Sequence, residues 1–130
     1  MTGLATLLTG PAPAGVYRLP AASSADTARR VAEAAGWRVV DADTSAAADR
    51  RAVFAALKTA FGFPDWFGHN LDALADSLGD LDAEPGTLLV WSGSTTFARS
   101  APDQFRAILA VLRDRANDAG APTRLLTLLA

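Results

Sequence analysis

Two apolar runs constrain the fold more than any other feature: Thr87–Trp91 (Thr-Leu-Leu-Val-Trp) and Arg124–Leu129 (Arg-Leu-Leu-Thr-Leu-Leu). Both are too short for a buried helix, and neither alternates strictly between apolar and polar residues. Such runs read as strands covered on both faces, the condition of a parallel sheet. Trp37–Val40 reads the same way, and Val16–Leu19 is a shorter candidate stopped by Pro20. Helical signals fall between them. Ser23 or Ser24 can cap a helix running to about Ala35, with Gly36 at its C′ position. Ala46–Phe61 is expected to be helical, with Val53, Phe54, Leu57 and Phe61 on one face. Ser92–Ala98 reads as a polar loop around Phe97. Ser100 is then expected to cap a helix with Pro102 in its first turn and Phe105, Ile108, Leu109, Leu112 and Ala116 as its stripe. Gly120 and Pro122 end that helix. The alternation predicts an α/β fold: a small, mostly parallel sheet of three to four strands packed with helices. At 130 residues, one domain suffices.

Residues 2–15 are punctuated by Gly, Pro and Thr around Leu4–Leu8, enough for one helical turn. The first residues lack a basic n-region and a long apolar run, and no stretch approaches the ~18 apolar residues of a membrane span. A cytoplasmic protein without membrane contact is the expectation. With no cysteine, disulfides and thiolate metal sites are excluded. The net charge is −2 and eleven of the twelve bases are scattered arginines, a pattern that argues against nonspecific nucleic-acid binding.

Phe63–Leu81 carries the functional signal. Pro64 and Gly68 punctuate a loop, and Asn70 is a suitable N-cap for the helix that follows. Leu71, Leu74, Ala75 and Leu78 recur at i, i+3, i+4 and i+7, predicting one buried face. Asp72, Asp76 and Asp80 share another face, with His69 on the same side. Thr59–Ala98 contains no Lys or Arg but six acids: Asp65, Asp72, Asp76, Asp80, Asp82 and Glu84. The rest of the chain sets twelve bases against eight acids, so one strongly negative segment sits in a near-neutral protein. Like charges at i,i+4 cost a helix a few tenths of a kcal/mol, so their retention points to function and to a cationic partner.

Three chemistries can be weighed on these residues. Asp72 and Asp76 lie on an open face, whereas an acid–base pair needs environments that separate its pKa values. His69 with Asp72 and Asp76 would make only a weak metal site. Ser92-Gly93-Ser94-Thr95-Thr96 lacks the spacing of a phosphate-binding fingerprint. No catalytic residue, metal or cofactor is therefore expected.

Pro64, Trp66, Phe67, Gly68, Asn70, Leu71, Asp72, Ala73, Leu74 and Asp76 together resemble the signature of the barstar family. These are intracellular inhibitors of small secreted guanyl-specific ribonucleases. Weaker similarity runs from about Gly36 to the C-terminus, leaving residues 1–35 as an N-terminal extension to a core at 36–130. The resemblance implies a three-stranded parallel sheet packed with helices, to which the extension would add a strand and a helix. It also implies a monomer that binds one cationic ribonuclease through Asp72 and Asp76, helped by Asp65, Trp66, Gly68, His69, Asn70 and Ala75. Trp66 is the expected contact and Phe67 the expected core residue, while Trp91 matches a strand tryptophan of the family. Asp114 is the nearest match to an acidic contact on the following long helix, with Asp118 the alternative. Position 75 departs from the best-known family pattern, which has tryptophan where this chain has alanine; a contact is missing there or supplied elsewhere. Two alternatives stand beside the inhibitor. One is a small metal-dependent or nucleotide-handling enzyme using His69, Asp72 and Asp76; the other is an immunity module for a different cationic protein.

Residues 1–14 combine little apolar periodicity with no matched family position. Their removal is expected to leave the melting temperature and partner binding unchanged; a large fall in melting temperature would contradict this.

Overall fold

The computed structural model describes residues 15–19 and 24–130. The elements are β1 (Val16–Arg18), α1 (Ala25–Ala34), β2 (Arg38–Asp43), α2 (Arg50–Phe61), α3 (Leu71–Gly79), β3 (Gly86–Ser92), α4 (Ser94–Ser100), α5 (Pro102–Ala116) and β4 (Arg124–Leu129). The four strands form one sheet in the order β1-β4-β3-β2, and every pairing is parallel. The two apolar runs are its central strands, buried on both faces as their composition requires.

Successive side chains on β3 and β4 enter different cores. Leu89 and Trp91 on β3, with Leu125 and Leu129 on β4, meet α2, α3, α4 and α5 through Phe54, Leu57, Leu74, Leu78, Phe97, Ile108 and Leu112. Leu88, Val90, Leu126 and Leu128 face the other way, onto Ala28 and Ala32 of α1 and onto Trp37. Residues before the predicted core thus complete the fold: β1 pairs with β4, and α1 covers the second face. Ser24 caps α1 by accepting the Asp26 N–H (3.2 Å). The predicted turn at Leu4–Leu8, together with Pro20 and Ser23, lies outside the described residues.

Four expectations are corrected. Helix α2 begins at Arg50 rather than Ala46, because the Asp49 carboxylate accepts the Ala52 N–H (2.9 Å) and ends the preceding turn. Ser92–Ala98 is not a loop: Ser94–Ser100 is helical, with Phe97 fully buried. Tertiary bonds hold this polar helix. Thr96 donates to the Ser45 carbonyl (2.9 Å), Thr44 donates to the Gly93 carbonyl (3.4 Å), and Ser100 donates to the Ala48 carbonyl. Gly93 permits the approach, since its φ is +71° and a Cβ there would lie 2.6 Å from Ser45. Ser100 is therefore the end of α4 and does not cap α5; Ala101 occupies that position without a side-chain bond, and Pro102 opens the helix. Finally, Ala75 is exposed. The buried face of α3 narrows to Leu74 and Leu78, with Leu71 half-buried, because α3 packs mainly against α5 rather than the sheet.

Leu74 is fully buried and Asp76 is exposed. Leu74→Ala is expected to cost about 2–5 kcal/mol, whereas Asp76→Ala should be neutral or slightly stabilising. Urea melts of the two variants decide it, and a larger loss from Asp76→Ala would mean the helix faces are reversed.

Candidate protein-binding surface

The acidic helix is placed by a folded-down loop of aromatics. Gly62, in the left-handed region at φ 72°, ends α2 and donates to the Lys58 carbonyl (2.9 Å). The chain then turns through Pro64, whose carbonyl accepts the Phe67 N–H (2.9 Å). Phe63 stacks on Phe61 with ring centres 5.1 Å apart, and Phe67 tilts against Phe63 (5.1 Å) and Phe54 (6.3 Å). This row buries Phe67 and sends its neighbour outward: Trp66 is 79% exposed, the one large apolar side chain in that state among the described residues.

Asn70 fixes the start of α3 with both ends of its amide. Its oxygen accepts the Ala73 N–H (2.8 Å), and its nitrogen donates to the Gly68 carbonyl (3.1 Å). Asp72 then falls in the first turn, where the helix dipole favours a carboxylate. Asp72, Ala75 and Asp76 form a solvated face, and among the described residues neither aspartate has an ion-pair partner. Asp65 is exposed and pairs with Lys58 at 3.4 Å. Gly68 and Asn70 are exposed as well. His69 departs from expectation: it is half-buried, its ring lying against Phe67 (5.3 Å) and its Nδ1 bonded to the Phe67 carbonyl (3.0 Å). Asp114 is exposed on α5, and Asp118 accepts the Gly120 N–H (2.9 Å). Among the described residues no cluster of His, Asp and Glu is arranged to hold a metal ion, and no helix is long and apolar enough to cross a membrane.

The far end of α3 depends on a residue that sequence reasoning missed. Arg115 of α5 is buried, with Nε donating to the Leu78 carbonyl (2.7 Å) and Nη1 to the Thr123 carbonyl (2.7 Å). Nη2 reaches the Leu81 carbonyl and the Thr123 hydroxyl, both at 3.3 Å. Burial lowers the guanidinium pKa from its usual value, and the charge of Asp118 opposes the shift. Helix α3 has no basic residue in its last turn, so Arg115 supplies the cation that its C-terminal carbonyls favour. The available signal was positional: Arg115 stands three residues after Leu112, inside the buried stripe.

Residues 37–129 match the family model described as Barstar (barnase inhibitor). The chain belongs to the barstar family. No curated protein matches it. Among solved structures, the Aeropyrum pernix ORC2 protein, determined as ADPNP–ADP complexes, is similar with a TM-score of 0.61 at 20% identity. That likeness covers 97% of this chain but only 37% of the ORC2 chain, and it concerns the fold alone. The barstar match begins after α1, so β1 and α1 lie outside the matched region while completing the sheet and its second face.

Removing Arg115 takes its donors from the Leu78, Leu81 and Thr123 carbonyls and from the Thr123 hydroxyl, leaving Leu78 with the Leu81 N–H (3.2 Å) and Leu81 with the Thr123 hydroxyl (2.9 Å). Arg115→Lys cannot reproduce the planar fork, so a loss of at least about 2 kcal/mol is expected in urea melts. A change within about 0.5 kcal/mol, the range of ordinary surface substitutions, would remove Arg115 from this role.

Proposed function

We propose that this barstar-family chain is an intracellular inhibitor of a barnase-like ribonuclease and performs no catalysis itself. The observation that carries the reading is the pairing of two solvated, unpartnered carboxylates, Asp72 and Asp76, with the exposed indole of Trp66. A ribonuclease must line its cleft with cationic groups that bind phosphate and stabilise developing charge. A rigid helix can set carboxylates in those phosphate positions, where Arg–carboxylate pairs are strong and geometrically specific. Trp66 supplies the apolar anchor that excludes water from such pairs. Asp65, Gly68, His69, Asn70, Ala75 and Asp114 complete the proposed contact surface, in a 1:1 complex with a monomer. The negative segment also speeds encounter with a cationic enzyme.

One observation favours a second reading. Ala75 is exposed at the middle of the acidic face, where the best-known family pattern has tryptophan. A partner with a different contour, another cationic protein, would then be the target of an immunity module.

Asp76→Ala is expected to weaken inhibition far more than Asp82→Ala, both variants remaining folded. Asp76 lies between Asp72 and the end of α3, whereas Asp82 is exposed on the following turn, where an ion pair contributes about 0–1 kcal/mol. Truncating one member of a desolvated charge pair costs about 2–5 kcal/mol, a range to which barnase–barstar itself contributes. Stopped-flow binding should place the Asp76 effect in dissociation and the Asp82 effect in association and its salt dependence. Equal effects would reduce the helix to a diffuse electrostatic patch.

A further inference from the structure

Lys58 is the chain's one lysine and the last base before the acidic stretch at 59–98. It lies in the last turn of α2, where the helix dipole favours a cation. Its carbonyl accepts the Gly62 N–H (2.9 Å) and the Phe63 N–H (3.0 Å), so its backbone is fixed by the turn that starts the loop. Its side chain is half-buried and brings Nζ to 3.4 Å from the Asp65 carboxylate. Asp65 is fully exposed, so the pair adds little to stability. The loop is held instead by the packed row of Phe61, Phe63 and Phe67. What the pair changes is the charge beside Trp66. Of the six acids at 59–98, Asp65 alone has an ion-pair partner among the described residues. The loop therefore meets solvent with its carboxylate neutralised, whereas Asp72 and Asp76 on α3 keep theirs uncompensated.

We propose that Lys58 is a specificity-determining residue: it neutralises Asp65 and repels cations from the loop, so that a cationic partner is steered onto Asp72 and Asp76 while Trp66 makes an apolar contact. This rests on the inhibitor reading above and adds a repulsive element to it, which discrimination between partners uses alongside attraction. Lys58 need not touch the partner. A charge at the rim of an interface acts on the association rate and its salt dependence more than on dissociation. Neutralising Lys58 releases Asp65, gives the loop a second cation-attracting point and speeds encounter. Neutralising Asp65 uncovers the ammonium and slows it.

The test uses barnase as probe, with the full chain, Lys58→Gln, Asp65→Asn, the double variant and Lys58→Arg. Association is followed by stopped flow at about 0.01 M and 0.15 M salt, where charges act over roughly 30 Å and 8 Å. At low salt Lys58→Gln should associate at least about two-fold faster than the unsubstituted chain, and Asp65→Asn at least about two-fold slower. The double variant restores the net charge and should return to the starting rate. Lys58→Arg should keep that rate, and every difference should shrink at the higher salt. A readout without any partner is also available. Trp37 and Trp91 are buried, so ionic quenchers act on the fluorescence of Trp66. Lys58→Gln should increase quenching by caesium and decrease quenching by iodide. Association that slows in both single variants, as loss of a purely structural pair would cause, or that does not change, would overturn the proposal. Unaltered quenching would overturn it as well. Failure of barnase to bind the unsubstituted chain would overturn the inhibitor reading, and this proposal with it.

Discussion

A buried guanidinium holds the acidic helix in place. Arg115 joins three segments: it reaches the last turn of α3 at Leu78, the chain leaving it at Leu81, and the approach to β4 at Thr123. Thr123 in turn donates to the Leu81 carbonyl at 2.9 Å, closing the network. Among the described residues no carboxylate is bonded to this cation; its partners are the Thr123 hydroxyl and carbonyl dipoles, including those at the negative end of α3. Taking a charge out of water costs several kcal/mol, so the site depends on the four hydrogen bonds that Arg115 donates. The opposite end of α3 is fixed as firmly by Asn70 and the aromatic row beneath Phe67. Between these anchors a nine-residue helix can carry like charges that would weaken it in isolation.

The energetic comparison is simple. Repulsion between solvated aspartates at i,i+4 costs a few tenths of a kcal/mol. Burying Leu74 and Leu78 returns roughly 1.5–3 kcal/mol each. Helix α3 therefore keeps its position with its carboxylates unpaired among the described residues. Charges already neutralised within the fold would have to exchange partners on binding. These need not, which suits the proposed binding to a cationic cleft.

The strands were legible because Thr87–Trp91 and Arg124–Leu129 put apolar residues on both of their alternating faces, and only a doubly covered strand demands that. The acidic helix was legible from the Asn70 cap and its leucine spacing. Helix α4 was not: Ser, Gly and Thr dominate its first turn, and what makes it helical is the burial of Phe97 and bonds to residues fifty positions away. Ala75 was misplaced because a helix packing mainly against one neighbour buries a narrower stripe than one lying on a sheet. Arg115 was missed despite its place in the buried stripe, since a charged residue in an amphipathic helix is read as solvated until its acceptors are seen. The outward turn of Trp66 was expected only through the family resemblance; geometrically it follows from Phe67 being held by Phe54 and Phe63.

The central claim is that one surface, running from the loop at 64–70 onto α3, blocks a ribonuclease. The most direct measurement titrates RNA cleavage by barnase with this chain and maps hydrogen exchange in the mixture. The account predicts a linear loss of cleavage that reaches zero at one equivalent, with new protection confined to residues 64–76 and the exposed side of α5. Undiminished cleavage with no change in exchange, or inhibition with protection confined to the α1 face, would contradict it.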